Sequence, residues 1–223
     1  MPDARAAPLL TIDIVSDVVC PWCYIGMRRL GLALTRIGQA EPETRLRIRW
    51  HPFQLNPDLP PSGVDRREYL EAKFGGPERA AEIYARVRAA GETVGIAFDF
   101  DRIATQPNTL DAHRLIAWVQ AQADANPLVE RLFRAYFLEG QNVGDRSVLA
   151  ALAGEAGQDA AAARAFLDSG AGADEARAAD RKARETGIGG VPFFIFDGRV
   201  AVSGAQLPDV LVDAIGQARA AAA

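Results

Sequence analysis

Cys20-Pro21-Trp22-Cys23 constrains this chain more than any other four residues, and these are its only two cysteines. A pair at this spacing can close a small disulfide, lend two thiolates to a metal, or attack a substrate disulfide and resolve it. The flanks bear on the choice. Upstream, Leu9-Leu10-Thr11-Ile12-Asp13-Ile14-Val15 is short, apolar and β-branched, which reads as a buried strand. Downstream, Ile25, Met27, Leu30, Leu34 and Ile37 recur near helical spacing. Pro21 suits the first helical position, where no backbone N–H is needed. Cys20 therefore falls at a strand-to-helix turn, on a helix N-terminus. Unpaired N–H groups and the positive end of the helix dipole stabilise an anion there. The Cys20 thiol is accordingly expected below its ordinary pKa, and its thiolate is the nucleophile of disulfide exchange. Cys23, one turn further in, suits the resolving role. Pro21 and Trp22 shape the turn and shield Cys23.

The other two uses of the pair fit less well. Structural disulfides mark small, cysteine-dense secreted domains, whereas this chain has 223 residues and two cysteines. A zinc site needs two further ligands, and His51 and His113 form no spaced pair. The reading is redox, with no metal. A net charge of −4 gives no footprint for nucleic acid, and no apolar run reaches membrane length. Met1 to Pro8 carries no export pattern, which places the protein in the cytoplasm. Thiols are kept reduced there, and a lone Cys-x-x-Cys is catalytic sooner than structural.

Arg45 to Phe53 alternates strictly, with Leu46, Ile48 and Trp50 on one face and arginines on the other, the pattern of a half-exposed or edge strand. Strand, helix and strand form a βαβ unit. A proline-dense connector, Gln54 to Gly63, leaves it. Helix signals then replace strand signals for about a hundred residues, opening at Pro77, Asn108-Thr109, Asn126-Pro127, Asp145 and Asp159. A charged helix from Ala173 to Thr186 follows. Next comes a hairpin around Asp197-Gly198, then a last helix from Pro208. The order β-α-β, helical block, α-β-β-α is α/β, a thioredoxin-like fold carrying a helical insertion. The boundaries are 1–60 for the first part of the thioredoxin-like domain, 61–170 for the insertion and 171–223 for the second part.

Five stretches resemble one family: Ser16 to Gly26 around the cysteines, Pro52 to Pro57, Asn108 to Leu115, Gly190 to Phe194, and Ser203 to Gln206. They are similar to the DsbA-type thioredoxin-fold proteins, and more narrowly to their FrnE-like branch. The resemblance implies an insertion of DsbA type and disulfide oxidoreductase or isomerase chemistry with Cys20 as nucleophile. It also implies a cis peptide before Pro192, with Pro192 beside the cysteines and Val191 presenting backbone groups to an extended substrate. The substrate would be a disulfide-containing polypeptide or a small thiol. No cofactor is tightly bound, and glutathione can serve as redox partner. The chain does not set its oligomeric state, and a homodimer is compatible with it. A related branch, the 2-hydroxychromene-2-carboxylate isomerases and kappa-class glutathione transferases, uses glutathione and commonly has serine in place of the first cysteine. That branch is the alternative.

Two acids near the site are candidates for a proton relay. Asp13, on the buried strand, could exchange a proton with Cys23 during resolution. Asp17 follows the strand, where a turn or capping role competes with a catalytic one. His51 reads as a structural or surface histidine, and His113 as a hydrogen-bonded core residue.

Overall fold

The computed structural model describes residues 9–221. Met1 to Pro8, from which the absence of an export pattern was read, lies outside them. Strand β1 (Leu9–Ser16) leads into helix α1 (Pro21–Ala40) and returns in β2 (Arg45–Pro52). Near the far end of the chain, β5 (Phe193–Phe196) and β6 (Val200–Ser203) complete a four-stranded sheet of order β2-β1-β5-β6. β2 lies parallel to β1; β5 and β6 are antiparallel to their neighbours. This is the thioredoxin-like arrangement. β1 is central and buries Leu10, Ile12, Ile14 and Val15, while β2 is the edge that its alternation called for. The β5–β6 turn carries Asp197 at φ 50° and Gly198 at φ 66°, the two positive-φ positions of a tight hairpin.

Between the halves lie α2 (Arg66–Phe74), α3 (Pro77–Glu92), α4 (Leu110–Gln120), α5 (Asn126–Phe137), α6 (Arg146–Glu155) and α7 (Ala160–Asp168). Helix α8 (Ala173–Glu185) and a final α9 (Pro208–Ala220) follow. Asp145 and Asp159 cap α6 and α7 by accepting bonds from the first-turn N–H groups. The segment after β2 holds more structure than its sequence signals indicated. α2 was not anticipated; Asp65 caps it by accepting a bond from Glu68 N–H. A two-residue pairing, β3 (Val64–Asp65) with β4 (Thr105–Gln106), joins points some forty residues apart, too short a stretch for periodicity to register.

One contiguous core joins the sheet to the helical block. Ile12 and Ile14 of β1 and Tyr24 of α1 share it with Phe133 and Phe137 of α5. The Tyr24 ring stacks on Phe133 at 5.1 Å between centroids. The insertion therefore packs directly behind the Cys20–Cys23 turn.

Candidate redox site

Cys20 is the N-cap of α1, with extended backbone (φ −93°, ψ 111°), and Pro21 opens the helix. The turn before it is closed by Cys20 N–H donating to Asp17 C=O at 3.0 Å. Cys20 C=O in turn accepts from Cys23 N–H at 3.0 Å. Both cysteines are free thiols and both are buried, Cys20 to 5% and Cys23 to 1% exposure. Trp22, between them, stands half-exposed at the mouth.

The loop before β5 reaches this turn from 171 residues away. Cys20 Sγ donates to Val191 C=O at 3.6 Å. The Val191–Pro192 peptide is cis. Pro192 C=O accepts from Gly204 N–H at 2.8 Å, which ties the loop to the end of β6. Gly26 allows the close approach: a Cβ there would lie 2.9 Å from Pro192 Cγ and 3.1 Å from Phe194 Cζ. From the other side Val191 packs against a small cluster of Val15, Phe53, Ala183 and Ile188. The Pro52 to Pro57 stretch thus acts on the site through Phe53. Its neighbour Gln54 is held by α8, with Gln54 N–H donating to Asp180 Oδ1 at 2.7 Å.

Cys23 faces inward. Burial, and then the hydrogen bond and charge of the Cys20 sulfur, push its thiol well up. The Ser16 side chain and the Asp17 backbone pull the other way. Ser16 Oγ is itself buried and has no hydrogen-bond partner of good geometry among the described residues. It borders a cavity of about 20 Å³ shared with His51 and His113, room for one water.

The two candidate acids have separate surroundings. Asp13 is clamped by Arg49, its parallel partner across β1 and β2, through two bonds of 2.7 Å, and His51 Nε2 lies 2.6 Å from the same carboxylate. Burial pushes the Asp13 carboxyl up, but the Arg49 and His51 hydrogen bonds outweigh it and hold the group below its usual range. Asp17 is wholly buried at the turn itself. It accepts from Leu55 N–H at 2.8 Å and lies 3.3 Å from His113 Nε2. His113 is hydrogen-bonded in the core and His51 is paired to an acid. Ser16 is the residue that sequence reasoning missed: one serine at the end of a strand carries no signal until the helix folds back over it. Among the described residues no group of three or more His, Cys, Asp or Glu could hold a metal, and no helix is long and apolar enough to cross a membrane.

The family model described as DSBA-like thioredoxin domain matches residues 11–216. A probable DsbA oxidoreductase from Streptomyces coelicolor is 32% identical, with a TM-score of 0.84 over 95% of this chain and 90% of that one. The 2-hydroxychromene-2-carboxylate isomerase structure is 20% identical, with a TM-score of 0.66 over 93% and 95% of the two chains. The cytosolic disulfide reductase DsbM from Pseudomonas aeruginosa is 20% identical, with a TM-score of 0.62 over 94% and 95%. The last two share the fold.

Proposed function

This chain belongs to the DSBA-like thioredoxin domain family, and on that premise we propose that it is a dithiol–disulfide oxidoreductase of the FrnE-like branch. The observation that carries the reading is the placement of two free, buried thiols at the N-cap and in the first turn of α1, with Cys20 against the Val191 carbonyl.

The chemistry balances without a cofactor. The Cys20 thiolate attacks one sulfur of a substrate disulfide, forms a mixed disulfide and expels the other sulfur as thiolate, which takes up a proton. The Cys23 thiolate then attacks Cys20 Sγ, closes the Cys20–Cys23 disulfide and releases the second substrate thiolate. Two electrons pass from the dithiol to the substrate. Run backwards, the same steps oxidise a dithiol, and the reduction potential sets the direction. Two molecules of a small thiol such as glutathione restore the dithiol and leave joined as their own disulfide. The substrate lies along Val191, whose N–H has no hydrogen-bond partner among the described residues and whose C=O is engaged only by the Cys20 thiol. An extended segment pairs there as an added strand would.

Proton transfer at Cys23 falls to the floor of the site. The Ser16 side chain lies beside the sulfur, and Asp17 with His113 is the buried acid–base pair nearest to it in the chain. Asp13, paired to Arg49 and His51, tunes the far side of β1. A glutathione-dependent isomerase on this fold has no required use for a second thiol, and the presence of Cys23 in the first turn favours exchange chemistry. The protein works in a reducing cytoplasm, in keeping with its cysteine usage.

Equilibration in graded glutathione buffers, with free thiols counted by alkylation and mass, tests this. A reversible two-electron transition assigned to Cys20–Cys23 supports it, and its midpoint gives the direction of flux. A chain that forms no intramolecular disulfide at any poise is not an oxidoreductase.

A further inference from the structure

Two arginines are almost fully buried, and they are satisfied in different ways. Arg114, at 1% exposure, is paired with Asp111 at 2.5 Å and donates to the carbonyls of Ala171, Leu167 and Phe166. Its charge is balanced and its donors close the chain around it. Arg66, at 3% exposure, has no carboxylate within ion-pair distance among the described residues. Its Nη1 donates to Gln106 Oε1 at 3.0 Å and to Tyr136 Oη at 2.7 Å, and its Nη2 donates to Tyr84 Oη at 3.0 Å. The guanidinium also faces the rings of Tyr84, Tyr136 and Phe100 at 5.2, 5.6 and 6.0 Å. Rings and amide oxygens offset part of the cost of burying a cation, yet they bring no negative charge. Burial pushes both phenols up, so Tyr84 and Tyr136 are neutral hydroxyls.

A guanidinium has five N–H donors. Three bonds are made, and the Nε–H and one Nη2–H have no acceptor among the described residues. Nε and Nη2 form the edge that a carboxylate grips with two parallel bonds. Arg66 lines a cavity of about 410 Å³ between α2 and α3, of the size that holds a small organic ligand. Its walls are apolar at Leu70, Ala80, Phe100 and Ile103. Two more arginines stand at the rim, but each is cancelled by an acid of the same cavity: Arg67 with Glu71 at 2.9 Å and Arg88 with Asp101 at 2.8 Å. The one uncancelled charge is the buried one. None of the redox residues lines this cavity.

We infer that the α2–α3 cavity is a binding site for a small monoanionic carboxylate with an apolar, flat body, held at its charged end by Arg66 and at its body by Tyr84, Phe100 and Leu70. It is separate from the disulfide chemistry and does not depend on it.

Titration of the intact protein with benzoate, against the neutral isostere benzamide, tests the assignment by ligand-observed NMR and by thermal shift. Benzoate binds saturably and raises Tm by about 5–10 °C at a hundredfold excess over its Kd. Benzamide binds at least about tenfold more weakly. Arg66→Met loses benzoate by a similar factor, while Arg67→Gln, whose arginine is already paired, changes it less than about threefold. Should Arg66→Met fail to fold, Ala80→Met narrows the cavity from the opposite wall and weakens benzoate with thiol exchange unchanged. Equal binding of benzoate and benzamide, or undiminished benzoate binding in either cavity variant, overturns the inference.

Discussion

The two cysteines share one helical turn, yet their sulfurs belong to different regions of the molecule. Cys20 looks out to a mouth built from a distant loop: Val191, Pro192 and the half-exposed Trp22. Cys23 looks in to a floor built from the end of β1 and from α4: Ser16, Asp17 and His113. The mouth offers open backbone groups and access. The floor offers burial, which keeps a thiol protonated, together with polar groups that work against that effect. On the proposed mechanism, attack belongs to the mouth and release to the floor, less than one helical turn apart.

The sharpest break removes the outward sulfur. Cys20→Ser is expected to lower disulfide turnover by at least about a thousandfold in insulin reduction, since no other thiolate reaches the mouth. Retained activity would put the nucleophile elsewhere. Cys23→Ser leaves attack intact and removes release, so mixed disulfides accumulate as a mass adduct on Cys20. In the Cys20→Ser chain the charge of the Cys20 sulfur is gone but burial remains, so Cys23 should be alkylated more slowly at neutral pH than an exposed thiol. Burial, the largest cause of the raised Cys23 pKa, favours the protonated form, which is the unreactive one. Fast labelling at pH 7 would show that the floor does not bury it.

A smaller effect separates floor from mouth. Asp17→Asn keeps an acceptor for Leu55 N–H but removes the charge beside His113. Release is expected to slow about tenfold with the attack step unchanged, read by stopped-flow on single turnovers. An equal loss in both steps would mean that the acid only supports the fold. The smallest effect lies outside both regions. Asp13 has a carboxyl lowered by Arg49 and His51, so its contribution to stability is present above the unfolded carboxylate pKa and is lost as pH falls through the lower folded value. Asp13→Asn should cost about 1 kcal/mol near pH 7, discounted because Arg49 and His51 are half in solvent, and less at a pH below the ordinary carboxylate range. Urea unfolding at the two pH values checks it. A larger loss with slowed release would move Asp13 onto the floor.

Local signals were strong where they decided the fold. The β1 run, Pro21 at the first helical position, the alternation of β2 and the Asp197-Gly198 turn each specify an element within a few residues. α2 was illegible because its residues are mostly charged and its helix rests on the Asp65 cap and on contacts made far away. The cysteine pair declared itself by spacing, and the family resemblance supplied Val191 and Pro192. Ser16 and Arg66 could not be seen in advance. A serine at a strand end reads as turn chemistry, and an arginine at a helix start reads as a solvated charge. Only tertiary packing buried both.

The Cys20–Val191 contact also has a meaning in time. It spans 171 residues of sequence, and the hairpin that follows it is anchored back to β1 by Thr11 N–H donating to Asp197 Oδ1 at 2.8 Å. During synthesis at about 5–20 residues per second, roughly 10–30 s pass between the emergence of the thiol and that of the loop that covers it. For that interval the ribosome carries a chain in which the Cys20 thiol is present and its Val191 partner is not yet made. The thiol thus exists before the loop that, on the proposed mechanism, would align a substrate against it.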